Sequence, residues 1–219
     1  MLILEDSRLP MTLRAAYEKF ARTNNESSLV PGPTETALGA PRPDLKSYIE
    51  FDGKTAPQIP KELEGLRSLL IAVVEDHSDR IEKEWGPFTK GLRHLTDRIS
   101  GALLRMSSYP ARVHDFVNHP HTDIDLFTVL PAPTQPGLEI EISGRWKAIE
   151  TKEDQLLLLP GDLIQHFGGP SPARHRVVSN GLSRISASLF INANPLLKIG
   201  ETSIAALVAQ RLALVRGAS

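Results

Sequence analysis

His121 and Asp123 stand two residues apart in His119-Pro120-His121-Thr122-Asp123, a stretch that reads as strand-like. Alternate side chains of a strand share a face, so this spacing sets an imidazole beside a carboxylate. Together they could fill two positions of one divalent metal. A third donor must come from elsewhere, and His175 offers it in Arg174-His175-Arg176-Val177. Two imidazoles and a carboxylate on one side of a metal leave the opposite positions open. Non-haem Fe(II) sites use that arrangement to take a co-substrate and O2. His119 lies two residues before His121 and would share its face, so a His-x-His site through His119 is the competing reading.

A second signal follows His175. Arg184-Ile185-Ser186-Ala187-Ser188-Leu189-Phe190 alternates, with Arg184, Ser186, Ser188 and Phe190 on one face. Ile185, Ala187, Leu189 and Ile191 form an apolar face suited to packing. If Arg184 is buried it must be paired, and a carboxylate suits its planar fork. An anion pocket near the metal is therefore expected. The remaining histidines, His77, His94, His114 and His166, read as surface or core residues, His166 being a weak candidate for substrate contact. Trp146 and the Leu156 to Leu159 run read as core. Arg105, Arg112 and Arg174 read as solvated charges.

The elements that must position these groups fall into two parts. Leu13 to Ala21 has helical spacing. Residues 24–44 carry Pro31, Pro33, Pro41 and Pro43 in a polar stretch, which reads as an extended loop and a candidate lid. Leu63, Leu66, Leu69, Leu70 and Val73 recur at helical spacing after Pro60, up to a break at Gly86-Pro87. A second helix is expected from Phe88 to about Leu103, its inner face formed by Leu92, Leu95, Ile99 and Leu103. Short strands separated by Pro and Gly turns follow: Met106 to Tyr109, Phe127 to Leu130, Leu138 to Ile142, Trp146 to Ile149, Leu156 to Leu159, His175 to Val178 and Arg184 to Asn192. Thr202 to Val215 reads as a C-terminal helix. Helices first and strands after predict a mostly β protein, a sandwich or barrel with a helical layer on one face.

With these residues in order, the chain resembles the isopenicillin N synthase-like group of 2-oxoglutarate- and iron-dependent oxygenases. The resemblance runs from about Pro43 to Pro195. It is carried by His121-Thr122-Asp123, Thr128 to Leu130, Pro136-Gly137-Leu138-Glu139-Ile140, Gly144-Arg145-Trp146, Pro160-Gly161-Asp162, His175-Arg176-Val177 and Arg184-Ile185-Ser186. It implies a double-stranded β-helix, a distorted jelly roll with the metal between its sheets. It also implies that His121, Asp123 and His175 bind Fe(II), and that Arg184 and Ser186 bind the distal carboxylate of 2-oxoglutarate. The group's tyrosine in an Asn-x-Tyr-Pro segment, which helps hold the co-substrate, corresponds to Tyr109. The segment here is Ser107-Ser108-Tyr109-Pro110, so Ser107 replaces the asparagine. Leu159 stands where the group has an asparagine before its Gly-Asp turn.

The implied organisation is a single domain over 1–219, with a helical layer and loops over 1–103, a double-stranded β-helix core over 104–195 and a C-terminal helix over 196–219. The implied reaction uses O2 and 2-oxoglutarate to oxidise a small molecule, by default hydroxylating it, with release of succinate and CO2. An oxidase of the same fold that dispenses with 2-oxoglutarate, and a silent metal- or ligand-binding module, are the rival readings. Substrate contacts are expected from 24–44, from Arg112 to Asn118 and from the C-terminal region. An amino acid or a natural-product intermediate would suit the chain's size.

Bulk properties agree with these expectations. The 219 residues are 41% hydrophobic and 23% charged, with a net charge of −1, the balance of one globular domain. No basic stripe argues for nucleic acid as a partner. The absence of cysteine excludes disulfides and thiolate chemistry. The opening residues lack a signal-peptide pattern and no apolar run is long enough to span a bilayer, so a cytoplasmic protein without a membrane partner is expected. Oligomeric state is left open.

Overall fold

Leu156 to Leu159 shows where the layers of the fold lie, because all four side chains are at most 1% exposed. Leu156 and Leu158 join one apolar cluster, while Leu157 and Leu159 join another with Leu138 and Ile140. A strand buried on both faces has a layer on each side. Here one layer is helical and the other is a second sheet. The computed structural model of the protein describes residues 1–23, 30–31, 46–52, 59–86, 91–96, 102–111 and 113–215.

Among these residues, the larger sheet has seven strands. They are β1 (Leu2–Glu5), β2 (Val30–Pro31), β3 (Ser47–Phe51), β4 (Leu103–Tyr109), β6 (Phe127–Pro131), β9 (Gln155–Pro160) and β11 (Arg184–Ile191), in the order β1-β9-β6-β11-β4-β3-β2. The smaller sheet orders β5 (Val113–His121), β10 (His175–Asn180), β7 (Leu138–Ile142) and β8 (Arg145–Ala148) as β5-β10-β7-β8. All pairings are antiparallel. The two sheets face each other through Leu138, Ile140, Leu157 and Leu159 on one side and Tyr109, Val117 and Val177 on the other. This is a jelly-roll sandwich.

Helices α1 (Leu9–Thr23), α2 (Lys61–Asp76) and α3 (Ser78–Trp85) cover the outer face of the large sheet. In α2, Leu63, Leu66, Leu70, Val73 and Val74 are wholly buried, and Glu62 and Glu64 in the first turn suit the positive end of the helix dipole. The strands supply the other half of this core with alternate residues: Leu104 and Met106 from β4, and Ala187, Leu189 and Ile191 from β11. Their intervening side chains therefore face the small sheet. A strand pair β12 (Lys198–Ile199) and β13 (Thr202–Ser203) precedes α5 (Ile204–Val215), whose Arg211 pairs with Asp162 at 3.4 Å. No described helix is long and apolar enough to cross a membrane.

Several expectations need correction. The helix expected from Phe88 to Leu103 is reduced to one turn, α4 (Leu92–Leu95). Thr96 bridges to Ala193, and Leu103 already opens β4. Residues 87–90 and 97–101 lie outside the described residues. The first 103 residues also contribute strands β1 to β3, which short or weakly alternating sequence hides. Of the stretch Arg112 to Asn118, Val113 onward is strand β5 rather than loop, and Arg112 lies outside the described residues. The candidate lid over 24–44 lies outside the described residues apart from Val30–Pro31. Trp146 is not core: it lies on the small sheet against Arg176, with the guanidinium 4.2 Å from its ring centroid. Leu189→Ala, at a wholly buried position in β11, is expected to lower unfolding free energy by roughly 2–5 kcal/mol in urea denaturation.

Candidate metal centre and its cavity

His121 closes β5 and pairs across the sheet with His175, the first residue of β10. Their ring centroids lie 4.3 Å apart. The next pair is Val177 with Asn118, so β10 advances two residues while β5 advances three. This bulge breaks the alternation on which His119 would share the face of His121. Asn118 takes that position instead, and His119 turns away to lie buried near the Phe116 ring. Asp123 is not in the strand at all. It sits in the loop just after β5, so strand alternation is not what aims it.

What aims Asp123 is a set of backbone bonds to the Gly161-Asp162 turn. The Asp162 N–H donates to Asp123 O at 2.8 Å, Gly161 N–H to Leu126 O at 2.9 Å, and Leu163 N–H to Asp125 O at 3.1 Å. Gly161 lies so close to Asp125 that a Cβ there would collide with its carbonyl and Oδ1. The Thr128 hydroxyl then donates to Asp123 Oδ2 at 2.5 Å and lies 3.0 Å from Asp125 Oδ2. A hydroxyl has one proton to give. Burial first, then the charge of Asp123, push the Asp125 carboxyl well above the usual carboxylate range. Its protonated form can donate to the Thr128 oxygen and complete the chain.

Ligating atoms from His121, Asp123 and His175 all lie within 4.8 Å of one another. His121 Nε2 is 3.7 Å from Asp123 Oδ1, and His175 Nε2 is 3.8 Å from Asp123 Oδ2. Each ring donates its Nδ1–H to a backbone carbonyl, His121 to His119 O at 2.6 Å and His175 to Ala173 O at 3.0 Å. Both Nε2 atoms are therefore turned to the centre, the orientation that metal ligation needs. Burial and the neighbouring His175 push His121 down to about 3. Burial alone would raise Asp123, but the two imidazoles and the Thr128 bond hold it below its ordinary value. Two imidazoles and an ionised carboxylate, each with its other polar atoms anchored, fit a divalent transition metal.

A cavity of about 230 Å³ opens beside the trio, with His175, Asn118 and Val177 on the small sheet and Tyr109, Arg184 and Ser186 on the large one. Arg184 pairs with Tyr109 and Ser186 with Ser107 across β11 and β4, which puts these four together on the inner face. Arg184 is 7% exposed. Its Nε donates to Gln135 O at 3.0 Å, while its buried Nη1 has no partner among the described residues. The carboxylate partner expected for it is therefore not a side chain of the described chain. Burial would raise the Tyr109 phenol, yet Arg184, Lys46 and hydrogen bonds from Ser186 and Ser107 bring it below its ordinary value. Ser107 thus has a part: it helps orient Tyr109. Leu159 is plain core.

Sequence reasoning passes over several groups near the centre. Arg105 is not a solvated charge: it bonds Glu50 at 2.6 Å, lies over the Tyr48 and Phe190 rings and helps hold Asp123 ionised. Thr128 has no role that its place in the sequence reveals, and neither Asp125 nor Asn118 stands out from its neighbours there. His166 lies in a 3₁₀ turn, Ile164–Phe167, and is not part of the trio.

Residues 100–193 match the family model of the 2OG-Fe(II) oxygenase superfamily. Rice gibberellin 2-beta-dioxygenase 5 is 32% identical over 110 residues, which cover 47% of this chain and 32% of that protein. Arabidopsis thaliana gibberellin 3-beta-dioxygenase 3 is 36% identical over 115 residues, 48% of this chain and 33% of that protein. The chain thus spans about a third of the length of these curated relatives. Among solved structures, a full-length Neurospora crassa protein in complex with alpha-KG superposes with a TM-score of 0.76 at 18% identity, covering 96% of this chain and 85% of that one. The rice dioxygenase for auxin oxidation gives 0.65 at 17%, covering 97% and 83%. These two likenesses show the fold, a jelly roll.

Two outcomes follow from the centre's construction. Gly161→Ala must displace Asp125 and, through Thr128, Asp123; it is expected to lower both melting temperature and divalent-metal affinity, the latter about tenfold or more by calorimetry. The second concerns pH. His121 keeps a folded value of about 3 against an ordinary 6.5, so the unfolded chain binds more protons between them. Stability conferred by the neutral ring is present above 6.5 and lost as pH falls toward 3. The metal-free protein's melting temperature should fall across that window, and His121→Ala should flatten the slope.

Proposed function

We propose that the protein is a non-haem Fe(II)- and 2-oxoglutarate-dependent dioxygenase that oxidises a small molecule, hydroxylating it by default, with release of succinate and CO2. One observation carries the reading: Arg184 lines the cavity with His175 of the other sheet, is buried, and keeps one guanidinium nitrogen without a partner among the described residues. A cationic socket thus faces a metal-ligating trio across one cavity, the requirement of a dicarboxylic co-substrate that binds metal at one end. Fe(II), when bound, supplies the O2 chemistry that couples decarboxylation of the oxo acid to oxidation of the substrate.

The chain's own contribution is placement and electrostatics. His121, Asp123 and His175 would hold the metal, their orientation kept by the His119 and Ala173 carbonyls and by Thr128. Arg184 and Ser186 would grip the distal carboxylate of 2-oxoglutarate. With Ser107 donating to the Tyr109 oxygen, the phenol proton and the Ser186 hydroxyl would be left for the same carboxylate. Leu130, Leu138, Leu157 and Val177 give the cavity apolar walls that limit water and strengthen each of these interactions. The relatives fit a small substrate: two are named for gibberellins, and the Neurospora crassa protein has been crystallised with thymine. An amino acid or natural-product intermediate is the class we propose here.

Anaerobic titration of Fe(II) and 2-oxoglutarate into the metal-free protein tests the reading. A weak visible charge-transfer band is expected, absent in His175→Ala and requiring roughly thirtyfold or more 2-oxoglutarate in Arg184→Ala. Iron binding without the band would favour the oxidase. Failure to bind iron would overturn the proposal.

A further inference from the structure

Lys46 immediately precedes β3, and its side chain is 7% exposed. Along β3, Tyr48 and Glu50 pair with Ser107 and Arg105, the inner-facing residues of β4, while Phe51 joins the helical core with Ile49 packed against it. The alternation carried back one step sets Lys46 on the inner face beside Tyr109. From there its ammonium crosses to the small sheet and donates to Asn118 Oδ1 at 2.8 Å. Its charge acts on both Tyr109 and His121.

An ammonium only donates, so this bond decides which way the Asn118 amide is turned. Oδ1 faces Lys46, and the amide N–H₂ is directed away from it. Asn118 lines the cavity, and the β5 bulge places it on the same face as His121 and His175. A polarised amide donor and a buried cation beside it favour an anionic oxygen over a neutral one.

We infer that Lys46 and Asn118 form a second carboxylate-binding position in the cavity, next to the metal trio and separate from the Arg184–Ser186 socket. The inference rests on the oxygenase reading above. Two molecules could bring that carboxylate. A 2-oxo acid has one beside its oxo group, at the end opposite the one Arg184 holds. An acidic substrate has its own. The chemistry is shared, and the source is separable by experiment.

Calorimetry on the Mn(II)-loaded protein compares wild type with Lys46→Met, Lys46→Arg and Asn118→Leu. The probes are 2-oxoglutarate, 2-oxobutanoate (which lacks the distal carboxylate), and a panel of aliphatic and arylacetic acids paired with their amides. The paired panel is measured with and without 2-oxoglutarate. Unchanged circular dichroism and Mn(II) affinity show that the variants fold and keep the trio. If the oxo acid is the source, Lys46→Met weakens 2-oxobutanoate about ten- to a hundredfold and Lys46→Arg restores most of it. If the substrate is the source, oxo-acid binding is unchanged, but wild type prefers acids to amides by a similar factor and Lys46→Met does not. Neither effect in Lys46→Met or Asn118→Leu overturns the inference, leaving the pair as a tie between sheets. Wild type that ignores 2-oxoglutarate overturns the co-substrate reading instead, and the acid-against-amide comparison still decides the Lys46 pair.

Discussion

Two imidazoles with ring centroids 4.3 Å apart, packed against a carboxylate with little access to water, would be a costly arrangement if any of the three changed its charge. A second proton on the His121 ring would be buried beside His175 at short range in a low dielectric. The fold avoids that by giving every other polar atom of the trio a fixed partner. Backbone carbonyls take both Nδ1–H groups, and Thr128 takes one carboxylate oxygen. The burial that depresses His121 and the imidazoles that keep Asp123 ionised are two views of the same juxtaposition. The register of β5 on β10 and the contact of Gly161 with Asp125 are both needed to maintain it.

Charge is divided between the two sheets. The small sheet, with the loop that leaves it, supplies the metal donors. The large sheet supplies cations from neighbouring strands: Lys46 just before β3, Arg105 on β4 and Arg184 on β11. Each is on the inner face because its neighbours in sequence are needed in the helical core, Ile49 and Phe51 around β3, Leu104 and Met106 around Arg105, Ile185 and Ala187 after Arg184. The helical layer therefore does more than cover a sheet. By claiming alternate residues of β3, β4 and β11 it sends the intervening polar ones toward the metal side.

Much of this was legible in the sequence wherever one rule acted alone. β11 could be read from its alternation, with Arg184 and Ser186 on one face and Ala187 and Leu189 on the other. So could α2, from its leucines at helical spacing, and most strands between Leu103 and Ile191. Reading failed where two rules competed. The His119–Asp123 stretch looked like an uninterrupted strand, but a bulge that residue types do not announce exchanges His119 for Asn118 on the inner face. Asp123 shares the side of His121 for a different reason, the backbone bonds to Asp162 and Leu163, which no local pattern shows. β3 has only five residues next to a proline-rich stretch, and its one long-range signal, Lys46, resembles any solvent-facing lysine until a partner strand is known.

Two departures from the family pattern also make sense together. Leu159 is 1% exposed and packs with Leu138 and Ile140, so β9 gives the site no polar group. Ser107 is too short to reach across the cavity as an asparagine on β4 would, and its hydroxyl is used on Tyr109. An amide is present in the cavity all the same, on β5 as Asn118, and only because the bulge turns it inward and Lys46 holds its oxygen. A neutral amide on β4 would recognise a hydrogen-bonding group without regard to charge. One held by a buried ammonium on the opposite sheet is biased toward anions. The inferred carboxylate position thus draws on both sheets, its amide from the small one and its ammonium from the large one.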